Sequence, residues 1–360
     1  MSVTQSGFNP VHHKANWNIQ VPSHSNQSAS ESQPDSKPLR GRFAPSPTGP
    51  LHFGSLVVAI GSWLEARSRR GKWLLRMEDL DRPREIPGAA DAVLRALEAC
   101  GLEWDGALMF QSQRTEAYAD AMAMLQRRDL VYPCACTRRE IADSVIDASL
   151  PGLEVVYPGT CRNGLAAGRS PRAWRVRTGD ECNEFIDRVQ GRHAQLLPLD
   201  VGDFVVRRAD GLFAYQLAVV VDDAAQGISD VVRGADLLSS TLRQIHLQEL
   251  LGLPVPDYAH LPVAINARFE KLSKQTLATP IPIDAPAPWM LSALRFLGHA
   301  PPPDLGRNLL SAPPREILAW AVAHWDLARV PRVRAVAAPD PINVNERASS
   351  RSLSSGPAQP

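Results

Sequence analysis

The stretch from Arg42 to Met77 constrains the fold of this chain more than any other. Arg42-Phe43-Ala44 reads as a short strand, broken by Pro45 and Pro47. Beyond a turn of small residues, Ser55 is placed to cap a helix whose Leu56, Ile60, Trp63 and Leu64 share one face, with Gly71 as its stop. Lys72–Met77 then reads as a buried strand, and Glu78, Asp79 and Asp81 lie just past its carboxyl end. Strand, turn, helix, strand opens a doubly wound α/β fold with a parallel sheet, in which ligands bind at the carboxyl ends of the strands.

The rest of the chain must be fitted around that opening. A length of 360 residues, 44% of them apolar, allows two domains or one domain with large insertions. Residues 1–38, rich in Ser, Asn, Gln and Pro, are expected to be a disordered extension, and 331–360 a disordered tail. The catalytic nucleotide-binding domain is expected in two halves, 39–130 and 196–280, around an insertion at 131–195 that holds four of the five cysteines. Within the second half, Phe204–Tyr215 suggests a hairpin turning at Asp210-Gly211, Val219-Val-Val a buried strand, Val231–Gly234 another strand, and Leu237–Leu251 a helix. A helical stub is expected over 281–330.

Charge and cysteine usage set the environment. With 39 basic and 38 acidic residues the net charge is +1, which neither requires nor excludes nucleic acid. No apolar run is long enough to span a bilayer, and the first arginine is Arg40, so no signal or transit pattern is legible. Unevenly spaced cysteines do not form a disulfide framework, which points to the cytoplasm and no membrane partner.

Two segments carry phosphate chemistry. His52-Phe-Gly-Ser55 opens a helix after a strand, where backbone N–H groups and the helix dipole favour an anion. Far along the chain, Lys271-Leu-Ser-Lys274-Gln supplies a pair of lysines, which alone would read as an ordinary basic loop. The combination of Arg42-Phe-Ala-Pro-Ser-Pro-Thr-Gly-Pro-Leu-His-Phe-Gly with Lys-Leu-Ser-Lys-Gln resembles the two signatures of class I glutamyl-tRNA synthetases, over residues 40 to 280.

That resemblance implies a Rossmann-like catalytic domain that joins L-glutamate to ATP, with Mg²⁺ accompanying the nucleotide. It implies ATP contacts from His52, Gly54, Ser55, Lys271, Ser273 and Lys274, with His52 and Lys274 acting in catalysis. It implies a glutamate pocket of Arg42, Ala44, Ser46, Glu78, Tyr215 and Arg233. The chemistry agrees, because a substrate with two carboxylates and an ammonium needs arginines and an acid. Taken without the resemblance, Tyr215 reads as a core tyrosine, Arg233 as a surface arginine, and Glu78 as part of a solvated acidic cluster.

Cys134-Ala-Cys136 and Tyr157-Pro-Gly-Thr-Cys161 lie within the insertion. Three thiols fall short of the usual four zinc ligands, so chemistry alone leaves a zinc site and simple buried thiols both open. A subgroup of the glutamate family shares this Cys-x-Cys…Tyr-x-x-x-Cys spacing, and the resemblance implies one structural Zn²⁺ held by Cys134, Cys136, Tyr157 and Cys161. Only 85 residues follow Gln275 in the 360-residue chain, too few for an anticodon-reading domain. Together these features resemble the glutamyl-queuosine tRNA(Asp) synthetases. Such enzymes activate glutamate without tRNA and esterify it to the queuosine base at the wobble position of tRNA(Asp). RNA contacts are then expected from the insertion, with Arg138, Arg139, Arg162 and Arg172 as candidates. The alternatives are a truncated tRNA(Glu)-charging enzyme, a silent synthetase-like RNA-binding protein, and a small-molecule nucleotidyltransferase.

Overall fold

The computed structural model describes residues 38–143, 156–180, 182–266 and 279–339. β1 (Arg40–Phe43), α1 (Phe53–Ser68), β2 (Lys72–Met77), α2 (Ala89–Ala99), β3 (Met109–Phe110) and α3 (Thr115–Arg127) form the first half. β2 lies between β1 and β3, parallel to both, with Arg42 opposite Leu74 and Met77 opposite Phe110. β2 is buried over most of its length, as a strand covered on both faces must be. α1 covers the sheet through Leu56, Ile60 and Leu64, all with no exposed surface, and its Phe53 packs edge-on against Phe296 at 5.8 Å.

β4 (Val131–Cys134), α4 (Arg138–Asp143), β5 (Ala173–Val176), β6 (Cys182–Asp187), β7 (Gly191–Leu196), α5 (Leu197–Asp200) and β8 (Val205–Arg207) follow. β5 sits between β4 and β8, antiparallel to each, while β6 and β7 make a separate hairpin. The chain then returns through α6 (Tyr215–Gln226), β9 (Asp230–Gly234), α7 (Leu238–Leu251), β10 (Asp257–Leu261) and β11 (Val263–Ile265).

β9 and β10 pair in parallel, and Ser229, just ahead of β9, donates its N–H to the Arg40 carbonyl of β1 at 3.0 Å. The two parallel pieces therefore abut at β1 and β9. Strand order runs outward from that line in opposite directions, to β2 and β3 on one side and to β10 on the other. Such a reversal opens a crevice at the carboxyl ends of the two central strands. Arg42 lies near the end of β1, Arg233 near the end of β9, and Glu78 directly after β2.

α8 (Ala287–Phe296), α9 (Pro303–Leu309) and α10 (Pro314–His324) make the helical part expected after the catalytic core. The tail expected to be loose from residue 331 begins instead as ordered chain. β12 (Ala335–Ala337) pairs in parallel with β11, and Val263 donates its N–H to the Arg334 carbonyl at 2.9 Å. Residues 340–360 and 1–37 lie outside the described residues.

Three local expectations need correction. Val219-Val-Val is not a strand but the middle of α6. A short β-branched run has no period of its own, and Gly227, at φ 64°, supplies the left-handed cap that ends a helix. The hairpin expected through Tyr215 is real only around Asp210-Gly211, where Arg207 bridges Phe213; Tyr215 already begins α6. At α1 the cap is His52 rather than Ser55, and Arg70, at φ 55°, rather than Gly71, takes the left-handed turn beyond the helix. No helix among the described residues is long and apolar enough to cross a membrane.

Candidate active site

Three strand ends and a helix start meet at the crevice. The N–H of Glu78 donates to the Pro45 carbonyl at 2.9 Å, and that of Ile86 to Pro47 at 3.1 Å, so the segment after β2 is stitched to the proline-rich turn after β1. Ser46, Glu78 and Tyr215 line a cavity of about 160 Å³ between these segments, with Asp81 and Arg208 paired at 3.1 Å on its wall.

Arg42 and Arg233 do not line that cavity, but their charges reach its walls. Burial pushes the Glu78 carboxyl above its ordinary value, and the Arg76 and Arg42 guanidiniums pull against that shift. Burial also raises the Tyr215 phenol, with Glu78 adding to the shift and Arg233 and Arg42 opposing it. Four of the six residues expected in the glutamate pocket thus share one electrostatic environment. Ala44 and Ser46 belong to the turn itself, the first half-buried and the second exposed.

Both arginines are held from behind by residues that sequence reasoning missed. Arg42 pairs with Asp223 of α6 at 3.3 Å, and the fully buried Arg76 pairs with the same carboxylate at 2.8 Å. Burial works against ionising Asp223, yet the charges of Arg76 and Arg42 hold its carboxyl below the usual range. Arg233 donates to His260 Nε2 at 3.0 Å, Gln244 Oε1 at 2.7 Å and Thr241 Oγ1 at 2.8 Å. Far from a surface residue, Arg233 is only 3% exposed.

At the start of α1, His52 caps the helix, and its Nδ1 accepts the Ser55 N–H at 3.3 Å. The other ring nitrogen lies 3.0 Å from Ser55 Oγ. Gly54 is the second residue of α1, and no acidic residue sits in that first turn. Lys271, Ser273 and Lys274 lie outside the described residues. The described chain resumes at Thr279, where Pro280 bridges His52 and Ile281 donates its N–H to the Leu51 carbonyl at 3.0 Å.

In the insertion, the sulfurs of Cys134, Cys136 and Cys161 lie within 4.8 Å of one another. The Tyr157 phenol oxygen is 3.5 Å from Cys134 Sγ and 3.8 Å from Cys136 Sγ, and the Cys136 and Cys161 sulfurs are 3.6 Å apart. A tetrahedral zinc with ordinary Zn–S and Zn–O bonds has ligand–ligand edges of roughly 3.5–3.8 Å. The donor set suits the ion in its chemistry, and three of its ligand–ligand distances match those edges, while the three sulfurs together spread over up to 4.8 Å. Arg175 stacks on the Tyr157 ring, its guanidinium carbon 3.8 Å from the centroid, and donates to Cys134 Sγ at 3.3 Å. Against the Tyr157 backbone, Gly202 takes φ 71°, and an added Cβ would stand 2.6 Å from the Tyr157 carbonyl oxygen. No side chain larger than hydrogen fits there without moving Tyr157.

A larger cavity, about 560 Å³, opens beside Cys161 between Tyr132, Arg162, Trp174 and Arg177. Its volume does not make it the reactive centre. Arg162 is committed to Asp203 and to the Thr178 carbonyl, and Arg177 to Asp129 and the Arg162 carbonyl. The other arginines expected to meet RNA, Arg138, Arg139 and Arg172, are all exposed on this insertion.

Comparison with known proteins agrees with the crevice geometry. Residues 38–289 match the family model of tRNA synthetases class I (E and Q), catalytic domain. The chain is 60% identical over 295 residues to the glutamyl-Q tRNA(Asp) synthetase of Dechloromonas aromatica, covering 82% of this chain and 96% of that one. It is 56% identical to the protein of the same name from Aromatoleum aromaticum, over 88% and 98% of the two chains. Among solved structures, a glutamate tRNA ligase from Elizabethkingia meningosepticum in complex with its amino acid superposes with a TM-score of 0.67 at 25% identity, over 83% of this chain and 67% of that one. The chain belongs to the class I tRNA synthetases of the E and Q type and, within them, to the glutamyl-Q tRNA(Asp) synthetases.

Proposed function

We propose that the protein condenses L-glutamate with ATP to glutamyl-adenylate without tRNA, and then esterifies the glutamyl group to the queuosine base of tRNA(Asp). The observation that carries the reading is the convergence of Arg42, Glu78, Tyr215 and Arg233 at the carboxyl ends of β1, β2 and β9, beside the His52-capped start of α1. Buried arginines suit the substrate's carboxylates, and Glu78 suits its ammonium. The α-carboxylate oxygen attacks the α-phosphorus and pyrophosphate leaves, a step that needs alignment and charge neutralisation more than covalent help. His52 and the N–H groups around Gly54 and Ser55 would hold phosphate oxygens at the positive end of α1. Mg²⁺ enters with ATP as part of the substrate and shares the triphosphate charge.

Lys271, Ser273 and Lys274 complete the phosphate site in this reading. Five residues of chain separate Lys274 from Pro280, which lies against His52, so covalent reach alone keeps Lys274 and Pro280 within roughly 20 Å of one another. Lys274 neutralises the departing pyrophosphate. In the second step a queuosine hydroxyl attacks the glutamyl carbonyl and AMP leaves. The vicinal diol of queuosine presents the same nucleophile as a terminal ribose, so one activated acyl group serves either acceptor.

One zinc ion held by Cys134, Cys136, Tyr157 and Cys161 would fasten the insertion. With four protein ligands the site is closed, and a closed site has no open position for substrate. The exposed Arg138 and Arg172 would then be carried on a rigid platform toward RNA. Glutamate-dependent ATP–pyrophosphate exchange in the absence of tRNA tests the first step. We predict exchange in the wild type and its loss in Lys274→Ala with the fold retained; full exchange in that variant would remove Lys274 from the mechanism.

A further inference from the structure

Behind Arg233 runs a buried chain of hydrogen bonds that ends on the β6–β7 hairpin. Asp187, the last residue of β6, and His260, in β10, are 2% and 0% exposed. Asp187 Oδ2 lies 2.6 Å from His260 Nδ1. Its Oδ1 accepts the backbone N–H groups of Val189 at 2.9 Å, Gln190 at 2.8 Å and His260 at 3.1 Å. On the far side of the imidazole, Arg233 Nε is 3.0 Å from His260 Nε2.

The two neighbours dictate where the imidazole proton sits. A carboxylate can only accept, so Nδ1 must carry the proton. A guanidinium can only donate, so Nε2 must be bare. Burial, together with the charges of Arg233 and Arg42, pushes the His260 pKa down to about 4 in spite of Asp187, so one proton is all the ring holds near neutrality. Asp187 is held ionised: burial is the largest single influence and opposes this, but the His260 ring and the backbone N–H groups of Gln190 and His260 together outweigh it. Thr241 Oγ1 completes the cage, 3.2 Å from Nε2 and 2.8 Å from Arg233 Nη2.

We infer that Asp187 and His260 are positioning residues for glutamate recognition, fixing the Arg233 guanidinium through the Nδ1–H tautomer of His260. The inference rests on the proposed role of Arg233 in the glutamate pocket. The sheet gives Arg233 its place; the relay gives it its orientation.

Asp187→Asn separates the two. The three backbone N–H groups require the amide oxygen at the Oδ1 position, which turns the amide NH₂ toward His260 Nδ1. That nitrogen must then accept, the proton moves to Nε2, and Nε2–H faces Arg233 Nε–H, donor against donor. The size and fold of the site are kept while its orientation is lost. In glutamate-dependent ATP–pyrophosphate exchange by the zinc-loaded full chain, Asp187→Asn is expected to raise the glutamate KM about 10- to 100-fold, the worth of one hydrogen bond to a charged group, with the ATP KM unchanged. The same substitution on an Arg233→Ala background should add nothing, since Asp187 acts only through Arg233.

An unchanged glutamate KM in folded Asp187→Asn overturns the relay, and so does an equal further rise on the Arg233→Ala background. If Arg233→Ala alone leaves the glutamate KM unchanged, the glutamate pocket itself is misassigned and the relay falls with it. If Arg233→Ala raises that KM and Asp187→Asn does not, only the relay fails. Should Asp187→Asn not fold, ¹⁵N spectra of wild-type His260 decide the matter. A neutral ring protonated at Nδ1 supports the relay, and protonation at Nε2 or at both nitrogens overturns it.

Discussion

In the proposed glutamate pocket, Glu78 would carry both stability and function, with opposite signs. Burial is the largest influence on it and raises its pKa above the ordinary 4.5; Arg76 and Arg42 only moderate the shift. The folded protein therefore binds this proton more tightly than the unfolded chain. Its contribution to stability is present below the unfolded pKa and is lost as pH rises through the raised value. Under the proposed role of Glu78, function runs the other way, because only the carboxylate can receive a substrate ammonium. We predict that the glutamate KM climbs on acidification, beginning above pH 4.5, while the ATP KM stays level, and that Glu78→Gln removes this pH dependence. A glutamate KM that is flat through that range in the wild type would count against Glu78 as the ammonium partner. At this scale the sequence was informative about residues that face the crevice and silent about those behind them. Arg42 and Glu78 lie in or next to a recognisable strand–turn–helix pattern. Asp187, His260 and Asp223 lie far from it in sequence, and nothing in their local spacing distinguishes a buried partner from a solvated charge.

The elements that were misread are those whose local signals conflict. Val219-Val-Val has β-branched residues that suit a strand, yet α6 buries Leu217, Val219 and Val220 together with Asp222, Asp223 and Gln226. A buried helix lacks the polar face that would have revealed its period. Its polar residues are instead its connectors. Asp222, with no exposed surface, accepts from Tyr118 at 2.6 Å, Gln111 at 3.0 Å and Arg114 at 3.1 Å, tying α6 to α3 and to the turn after β3. Asp222→Ala leaves those donors without their acceptor and is expected to cost about 3 kcal/mol in denaturant unfolding; a loss under about 0.5 kcal/mol would show that the network is dispensable. By contrast, β2 and α7 follow legible patterns because their apolar spacing and flanking breaks agree. The cysteine cluster was legible in composition but not in geometry, since spacing does not report that Gly202 lies against the Tyr157 backbone and Arg175 over its ring. Under the proposed zinc site, Tyr157→Phe keeps the ring and removes the oxygen donor. Zinc affinity should fall by roughly tenfold or more in competition with a chelator, and undiminished affinity would exclude the phenol as a ligand.

Across the whole molecule, the strand order explains why residues so far apart in sequence share one site. The reversal between β1 and β9 brings position 42 and position 233 to the same edge, and the β6–β7 hairpin reaches in behind through Asp187. Gln190 of that hairpin donates to the His260 and Val333 carbonyls at 2.9 and 3.1 Å, joining it to β10 and to the chain entering β12. This arrangement was beyond sequence reasoning, which saw residues 331–360 only as Pro-, Ser- and Arg-rich chain. The acceptor is the point on which the account rests most heavily, and glutamate transfer to purified tRNA(Asp), with and without queuosine, measures it directly. The account predicts ester formation on queuosine-containing tRNA(Asp) alone, after activation that needs no tRNA. Transfer to tRNA(Glu), or equal transfer to tRNA(Asp) lacking queuosine, would contradict it.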